Sequence, residues 1–322
     1  MINTTIKGVG MYLPEKVLTN DDISEFVDTS HEWIFDRTGI RQRHIASNDQ
    51  MTSDLAYMSA VDAIQDANIH STDLDLIILA TSTPDQIFPS TAVKLQDMLK
   101  IRDGAAFDIH AVCSGFIYAL SMADNFIKSG KYKRILVVGS EVYSRILNWK
   151  DRSTCVLFGD ASGAFVLEGK NNNDTRSGII DSVIRSDGQY RSKLYCDGGP
   201  SMLPRTDNFI NMDGKEVYKH AVDKQTTIVE ELLDSAGVGI ESIDWFVPHQ
   251  ANLRILQTTA KKLKIKEEKI IVTVDKHANT SSASIPVAMT TAIKENKIKR
   301  GDMLLLEAFG AGFTWGAVLL RY

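Results

Sequence analysis

The sequence predicts an α/β protein built from two halves that repeat one arrangement of strands and helices. Short continuous apolar runs, typical of strands covered on both faces, alternate with segments whose apolar residues recur at helical spacing. Segments of the first half also match segments of the second half in order and spacing. We therefore expect a mainly parallel sheet structure between helices, in two halves that pack against each other.

Three apolar runs are the clearest strand predictions, and they occupy residues 74–82 (LDLIILATS), 134–142 (RILVVGSEV) and 302–310 (DMLLLEAFG). The segments MTSDLAYMSAVDAIQDANI and KQTTIVEELLDSAGV carry apolar residues at helical spacing instead. The segments GAFVLEG and GAVLLRY are predicted to be the final strands of the two halves.

The repeat rests on landmarks whose offsets agree closely, which indicates an internal duplication. We expect a first half of residues 1–172 and a second half of residues 173–322, divided in the polar stretch GKNNNDTRSG. The matched pairs are Ala67 with Ala236, Ile135 with Met303, and His110 with His277.

Composition and charge exclude several classes of protein. The 322 residues are 43% hydrophobic and 24% charged, close to the averages for soluble domains. A formal net charge of -5 argues against a sequence-wide basic surface, so no nucleic-acid partner is expected. The first residues lack the pattern of a leader peptide, and no apolar run approaches the roughly 18 residues of a membrane span. We expect a cytoplasmic protein without a membrane partner.

The three cysteines are Cys113, Cys155 and Cys196, and they show neither CxxC spacing nor a His/Cys pattern suited to zinc. An odd number of cysteines in a long chain also does not suit a disulfide framework. We therefore expect no metal site, and each thiol needs its own explanation.

Cys113 lies in FDIHAVCSGFIYAL, between a predicted buried strand and a helical run that starts near Phe116. An unpaired cysteine is often a small buried hydrophobe, and the local pattern leaves this alternative open. A cysteine at a helix N-terminus, however, lies at the positive end of the helix dipole, which makes its thiolate accessible near neutral pH. Cys113 is therefore a candidate nucleophile.

Three further segments follow predicted strands, and ligands in open α/β sheets bind beyond the carboxyl ends of strands. They contain His249 (WFVPHQANLRIL), Asn279 (KHANTSSASIP) and Ala311 (FGAGFTWG). The backbone N–H of Ala311, with that of Cys113, suits an oxyanion hole. Alternatives remain: backbone groups could satisfy His249, Asn279 could be a turn or helix cap, FGAG could be a simple hairpin turn, and His277 competes with His249.

The motifs AVCSGF, PHQANLRI, NTSSASIP and FGAGFTWG, in this order and spacing, resemble those of the β-ketoacyl-acyl-carrier-protein synthase III family of the thiolase superfamily. The resemblance runs from GVGMYLPEKVLTN to the last strand. It implies an α/β protein with the thiolase-like duplicated five-layer αβαβα fold, and a homodimer. It assigns Cys113, His249 and Asn279 as catalytic residues, with Cys113 and Ala311 as the oxyanion donors.

The resemblance also implies a decarboxylative Claisen condensation that initiates type II fatty-acid synthesis. Cys113 takes the acyl group of a short acyl-CoA, with acetyl-CoA as the expected primer. His249 and Asn279 then donate hydrogen bonds to the thioester oxygen of malonyl-acyl carrier protein as it loses carbon dioxide. The products are 3-oxoacyl-acyl carrier protein, CoA and CO2. No metal or organic cofactor is implied, because acyl-CoA is a substrate.

Five more residues resemble family positions around the substrates. Trp33 and Arg37 of HEWIFDRTGIRQRH and Arg152 of WKDRSTCVLFGD resemble the CoA-binding set, whose aromatic face and guanidinium groups suit adenine and phosphates. Phe88 resembles a residue lent across the dimer to the partner's acyl pocket, and Phe309 resembles the aromatic residue beside the catalytic cysteine. Core packing for the aromatic residues, and a solvated charge for Arg37, are the alternatives.

A basic strip follows the predicted catalytic histidine in an otherwise acidic protein. A solvated helix face is the ordinary interpretation of such charge. The resemblance implies instead that Lys219 and Arg254 help to dock the acidic carrier protein, and we expect Lys261 and Lys262 of the same basic strip to contribute. The strip consists of Arg254, Lys261, Lys262 and Lys264.

Departures from the family pattern bear on selectivity. Ala278 and Ala311 stand where the family often has glycine, and His31 stands where an acidic residue is frequent. The main alternative is therefore a specialised relative in secondary metabolism that uses another primer, or a CoA-bound or small-molecule acceptor. A thiolase would need a second catalytic cysteine, and a hydroxymethylglutaryl-CoA synthase would need a catalytic glutamate. A catalytically silent partner subunit would be expected to lack Cys113. A papain-like hydrolase would use such a set to admit water.

Overall fold

The computed structural model describes residues 2–171, 177–203 and 207–322, and these ranges contain two large sheets, two small sheets and ten helices. The strands are β1 (Ile2–Tyr12), β2 (Lys16–Thr19), β3 (Gln42–Ile45), β4 (Leu76–Ala80), β5 (Ala105–Ile109), β6 (Arg134–Glu141), β7 (Ala161–Asn171), β8 (Gly178–Ser186), β9 (Leu194–Cys196), β10 (Ile210–Met212), β11 (Trp245–Pro248), β12 (Met303–Gly310) and β13 (Thr314–Arg321). The helices are α1 (Asn20–Ser24), α2 (His31–Thr38), α3 (Thr52–Asp66), α4 (Thr91–Met98), α5 (Gly115–Lys128), α6 (Arg152–Cys155), α7 (Gly214–Ala236), α8 (Leu253–Lys262), α9 (Val274–His277) and α10 (Ser284–Lys294).

The two large sheets share one strand order. The first runs β1-β7-β6-β4-β5, and the second runs β8-β13-β12-β11. Each strand of the second sheet thus has a counterpart at the same place in the first. Ile270 even forms an isolated parallel bridge with Phe246 of β11, at the place that β5 occupies beside β4. The apolar runs predicted as strands are β4, β6 and β12.

The two large sheets are mainly parallel in strand direction, as expected, but each contains one antiparallel strand. β4 pairs in parallel with β5 and β6, and β11 pairs in parallel with β12, but β7 and β13 are antiparallel to both of their neighbours. Only residues 311–313 join β12 to β13. A parallel crossover needs a dozen or more residues, so this connection must be a hairpin.

The helices complete five layers. α5 and α10 lie between the two sheets, in a core that includes Phe116, Phe165, Met289 and Leu306. α3 and α4 cover the outer face of the first sheet, and α7 and α8 cover the outer face of the second. This is the αβαβα arrangement that the motifs implied. In the described part of the chain, no helix is long and apolar enough to cross a membrane.

All strands of the first large sheet precede residues 172–176, and all strands of the second follow them. We propose that the chain divides there into halves 1–172 and 173–322, although that boundary lies outside the described residues. The halves meet closely: a Cβ at Gly139 of β6 would lie 2.4 Å from the carbonyl oxygen of Ser282, just before α10. Glycine at this position lets the segment that carries Asn279 reach the first sheet.

Candidate active site

Cys113 lies in a short 3₁₀ turn (Val112–Ser114) between the end of β5 and the start of α5. β5 is half-buried rather than buried, because it is an edge strand of its sheet. The end of β12 approaches the turn so closely that a Cβ at Gly310 would lie 2.9 Å from the Cys113 backbone nitrogen. Glycine therefore allows the backbone of the second half to reach the cysteine of the first.

Burial dominates the electrostatics of this thiol. The Cys113 side chain is buried, and desolvation raises its pKa to about 12, with the nearby Glu141 acting in the same direction and a hydrogen bond from Ser281 opposing both. The position before α5 predicted a thiolate accessible near neutral pH. Burial opposes that expectation, whereas the N-terminal end of α5 favours the thiolate, so the two act on the pKa of Cys113 in opposite directions.

His249 follows β11, and its backbone nitrogen donates to the carbonyl oxygen of Glu307 at 2.7 Å. The imidazole is 1% exposed, and burial lowers its pKa to about 3. Its Nδ1 lies 2.6 Å from Ser284 Oγ, which also accepts a hydrogen bond from the backbone N–H of Gln250. Burial keeps the ring neutral, and when the Ser284 hydroxyl donates to Nδ1 the imidazole proton lies on Nε2.

Asn279 is held by backbone pairing between the halves. Its N–H donates to Leu157 O, and its carbonyl accepts from Gly159 N. The Ser281 N–H donates to Asn279 Oδ1 at 2.8 Å, which directs the amide nitrogen to the other side as a donor. The preceding Ala278 has φ 57° and ψ −161°, a conformation that L-residues rarely adopt.

Two cavities meet at Cys113. The smaller, of about 240 Å³, is lined by Cys113, His249, Asn279 and Phe309 among others. The larger, of about 1160 Å³, is lined by Cys113 and Ala311 among others, and apolar atoms form most of its wall. The three predicted catalytic side chains therefore share one cavity. The competing His277 lines neither cavity, and its ring packs 5.3 Å from that of His44.

The predicted CoA-binding residues line the smaller cavity together. The guanidinium carbons of Arg37 and Arg152 lie 4.3 and 4.5 Å from the centre of the Trp33 ring. Arg152 Nη1 also donates to the carbonyl oxygen of Asp28. An aromatic ring flanked by two cations at a cavity entrance suits a flat base that carries phosphates.

Ala311 lies in the hairpin turn between β12 and β13, as the turn alternative for FGAG predicted. It also lines the larger cavity together with Cys113. Thr314 fixes the turn: its Oγ1 donates to Ala311 O at 2.9 Å and lies 2.8 Å from Ser114 Oγ. The backbone of Ala311 is thereby tied to the residue that follows the nucleophile.

The two predicted acyl-pocket aromatics lie apart. Phe309 is buried, lies 4.7 Å from Phe313 between ring centres, and lines the smaller cavity, on the Trp33 side of Cys113 rather than in the larger one. Phe88 is 82% exposed and lines neither cavity of its own chain. Its family role requires a second copy of the chain.

The predicted docking residues are exposed on one side of the second half. Lys219 lies on α7, and the others lie on or just after α8. Arg254 is anchored, because its Nη2 donates to Asp36 O of α2 at 2.6 Å. Asn252 makes a similar link to Arg37 O, so the start of α8 borders the cavity entrance. The remaining exposed members of the basic strip are Lys261, Lys262 and Lys264.

Sequence reasoning missed several buried polar residues around the site. Ser284, Gln250 and Glu141 were not singled out, because serine and glutamine near a turn resemble ordinary caps. Each is less than 3% exposed and hydrogen-bonded. Within the described ranges, no group of three or more His, Cys, Asp or Glu side chains could hold a metal ion.

Fold and site together define a thiolase-like condensing acyltransferase. The family model described as 3-oxoacyl-[acyl-carrier-protein] synthase III matches residues 107–188, and that of its C-terminal region matches residues 233–322. The β-ketoacyl-[acyl-carrier-protein] synthase III of Chelativorans sp. is 53% identical over the full length of both chains, and that of Agrobacterium fabrum is 52% identical. The chain belongs to the β-ketoacyl-acyl-carrier-protein synthase III family.

Solved structures agree with this assignment. The 3-oxoacyl-[acyl-carrier-protein] synthase III of Aquifex aeolicus has a TM-score of 0.94 and 48% identity, covering 99% of this chain and 100% of that one. The priming β-ketosynthase of the R1128 polyketide pathway has a TM-score of 0.92 and 30% identity, covering 99% and 96%. The expected five-layer fold, the family and the enzyme class are thereby confirmed.

Proposed function

We propose that this enzyme condenses a short acyl-CoA with malonyl-acyl carrier protein to give 3-oxoacyl-acyl carrier protein, CoA and CO2. Acetyl-CoA is the expected primer. The relatives named for β-ketoacyl-[acyl-carrier-protein] synthase III activity support this choice of carrier-bound substrate.

The observation that carries the proposal is that Cys113 lines both cavities. The smaller cavity has Trp33, Arg37 and Arg152, which suit the nucleotide end of CoA. The larger cavity is mostly apolar and suits an acyl group. A thioester that spans both cavities has its reacting carbonyl at the sulfur of Cys113.

In the first half-reaction, the Cys113 thiolate attacks the acyl-CoA carbonyl and CoA leaves as the thiol. The tetrahedral oxyanion accepts hydrogen bonds from the backbone N–H groups of Cys113 and Ala311. The close approach of β12 to the cysteine turn and the Thr314 link between the two segments support this pair. Donors fixed in a dry site stabilise such charge strongly.

In the second half-reaction, His249 Nε2–H and the Asn279 amide nitrogen donate to the malonyl thioester oxygen as carbon dioxide leaves. The resulting enolate attacks the acyl group on Cys113. Both donors are neutral, because burial keeps the imidazole uncharged and an amide carries no charge. The Ser281 N–H engages Oδ1 of Asn279, which leaves the amide nitrogen to donate. Neutral donors stabilise an enolate without the repulsion that a carboxylate would add.

We further propose a cytoplasmic homodimer that docks an acidic carrier protein on the basic face of α8 and requires no cofactor. An exposed apolar loop with Ile87 and Phe88, beside the open edge of β5, supports dimerisation. The exposed lysines on α8 support docking. The thiol, two neutral donors and two backbone N–H groups supply the chemistry without a redox or metal group.

A second candidate is a specialised primer or acceptor, as in a priming ketosynthase of secondary metabolism. The similarity to the R1128 enzyme and the alanines at positions 278 and 311 favour it. A screen of purified protein separates the two candidates by varying acyl-CoA length and branching and by offering malonyl-acyl carrier protein against malonyl-CoA. Preference for short acyl-CoA with the carrier-bound acceptor supports the first candidate; a bulky primer, or no need for the carrier, supports the second.

A further inference from the structure

A row of buried hydroxyl groups leads from the candidate nucleophile to a buried carboxyl group. The Ser281 hydroxyl hydrogen-bonds the Cys113 sulfur and also donates to the Tyr143 hydroxyl at 3.0 Å. The Tyr143 hydroxyl donates to Ser82 Oγ at 3.3 Å, and Ser82 Oγ donates to Glu141 Oε1 at 3.3 Å. The three hydroxyl donors point in one direction, from the thiol towards the carboxylate.

Glu141 is suited to receive a proton. It ends β6 with no exposed surface, and burial raises its pKa, because desolvation disfavours the carboxylate. Hydrogen bonds from Ser82 N (2.9 Å), Thr83 Oγ1 (2.9 Å) and Ser282 Oγ (2.8 Å) keep the group in place. Nothing in the half-reactions described above uses this carboxyl group.

The thiol needs an acceptor that the rest of the site does not supply. Its own pKa is raised to about 12, so direct loss of the proton to water near pH 7 is unfavourable. When the Ser284 hydroxyl donates to Nδ1, the imidazole of His249 carries its proton on Nε2 and has no free nitrogen to accept another. Transfer to Glu141 instead leaves the net charge of the buried site unchanged, since negative charge moves from the carboxylate to a sulfur next to the N-terminus of α5.

We propose that the proton of Cys113 passes through Ser281, Tyr143 and Ser82 to Glu141, which stores it during acylation. The S–H bond breaks as Ser281 accepts, each hydroxyl passes its own proton onward, and an O–H bond forms on Glu141. The hydroxyls then point back, with Ser281 donating to the thiolate. When the coenzyme thiolate leaves, the reverse shift returns one proton to it, so the step balances.

This relay rests on the proposed role of Cys113 as the nucleophile. Of its members, only Ser281 touches the reacting sulfur; the others act through it. The titratable groups around the relay are Cys113, Tyr143 and Glu141 themselves, with His249 facing the thiol from the smaller cavity. Further ionisable side chains line the larger cavity: Asp85, Asp108, His110, Arg145, Arg191, Tyr195, Cys196 and Asp197.

The test measures alkylation of Cys113 by iodoacetamide from about pH 5.5 to 9.5, with peptide mass spectrometry. Cys196 is exposed and serves as an internal reference in the same sample. The variants are Glu141→Gln and Tyr143→Phe. Tyr12→Phe is the matched control, because that hydroxyl only accepts from Gln50, away from the relay. We expect Cys113 to react about 100-fold more slowly near pH 7 in both relay variants, with Cys196 unchanged.

The sign of the effect separates the relay from simple electrostatics. Without a relay, removing the Glu141 charge lowers the pKa of Cys113, and labelling becomes faster. Faster or unchanged labelling of Glu141→Gln therefore overturns the proposal. Slow labelling of Glu141→Gln with normal labelling of Tyr143→Phe overturns the path through tyrosine, in favour of direct transfer from Ser281.

Thermal unfolding shows whether Glu141→Gln folds. If it does not, Tyr143→Phe tests the relay alone, because this variant keeps the ring and its contact with Phe158. Failure of the proposed function has a different signature. In that case the wild-type protein forms no acyl adduct from acetyl-CoA, whatever the labelling ratios of the variants.

Discussion

The Nδ1 atom of His249 lies 2.6 Å from the hydroxyl oxygen of Ser284, at the first position of α10. The same oxygen accepts from the backbone N–H of Gln250, which leaves its own proton for the imidazole. We infer that this serine sets the tautomer of a buried histidine, and the tautomer decides whether Nε2 can donate.

Ser284→Ala should impair decarboxylation selectively. Loss of the hydroxyl lets Nδ1 take the proton, so Nε2 no longer donates to the malonyl thioester. We expect decarboxylation of malonyl-acyl carrier protein to fall about 10- to 100-fold while acylation by acetyl-CoA stays within about twofold. Thr291→Val on the same helix is the control, since that hydroxyl donates within α10 to Val287 O. Equal losses in both half-reactions would refute the tautomer role.

Trp33→Ala should weaken use of CoA substrates. The Trp33 ring and the two guanidinium groups over it offer the stacking surface for the base, and such stacking is worth about 1–3 kcal/mol per base. We expect KM for acetyl-CoA to rise about tenfold or more. Acetyl-N-acetylcysteamine lacks the nucleotide, so its kinetics should not change. A similar loss with both substrates would show that Trp33 only supports the fold.

Ala278→Gly should stabilise the protein. Its φ of 57° with ψ of −161° costs an alanine roughly 1–3 kcal/mol and costs glycine little. Glycine also raises the conformational entropy of the unfolded chain, which lowers the free energy of unfolding by about 0.4–1 kcal/mol and offsets part of this stabilisation. We expect the free energy of unfolding to rise by about 1 kcal/mol in denaturant titrations. An unchanged or lower value would mean that packing of the buried Ala278 methyl group outweighs the strain.

Acid should destabilise the fold through the half-buried His277. Burial lowers the pKa of His277 to about 4, with His44 and Lys276 acting in the same direction. The unfolded chain binds that proton near pH 6.5, so the contribution is complete above pH 6.5 and is lost as pH falls towards 4. His277→Gln should therefore lower the slope of unfolding free energy against pH by up to about 1.4 kcal/mol per pH unit between pH 4 and 6.5. The control His70→Gln, at an exposed position, should leave this slope unchanged. Equal slopes would contradict the assignment.

Much of the fold was predictable because burial on both faces leaves a strong pattern. β4, β6 and β12 are continuous apolar runs, and the offset between β6 and β12 agrees with those of the other landmark pairs, which indicates the duplication. Strand direction was not predictable in the same way. The apolar runs of β7 and β13 have the same appearance in either direction, and only the length of the connection shows that β13 is antiparallel.

The candidate site was predictable where residues follow strand ends, as Cys113 and His249 do. The residues that surround Cys113 and His249 were not predictable from the sequence. Ser284 lies 2.6 Å from His249 within the second half, and Glu141 of the first half accepts a hydrogen bond from Ser282 of the second; no spacing along the chain encodes either contact. The direction of the Cys113 pKa shift also depends on burial, which a helix-start motif does not show.

The most direct test of the central claim is the mass of the protein after mixing with acetyl-CoA, followed by peptide mapping. The account predicts one acetyl group on Cys113, none on Cys113→Ala, and full acetylation of His249→Ala with poor decarboxylation of malonyl-acyl carrier protein. No adduct on the wild-type protein, or an undiminished adduct on Cys113→Ala, would contradict the account.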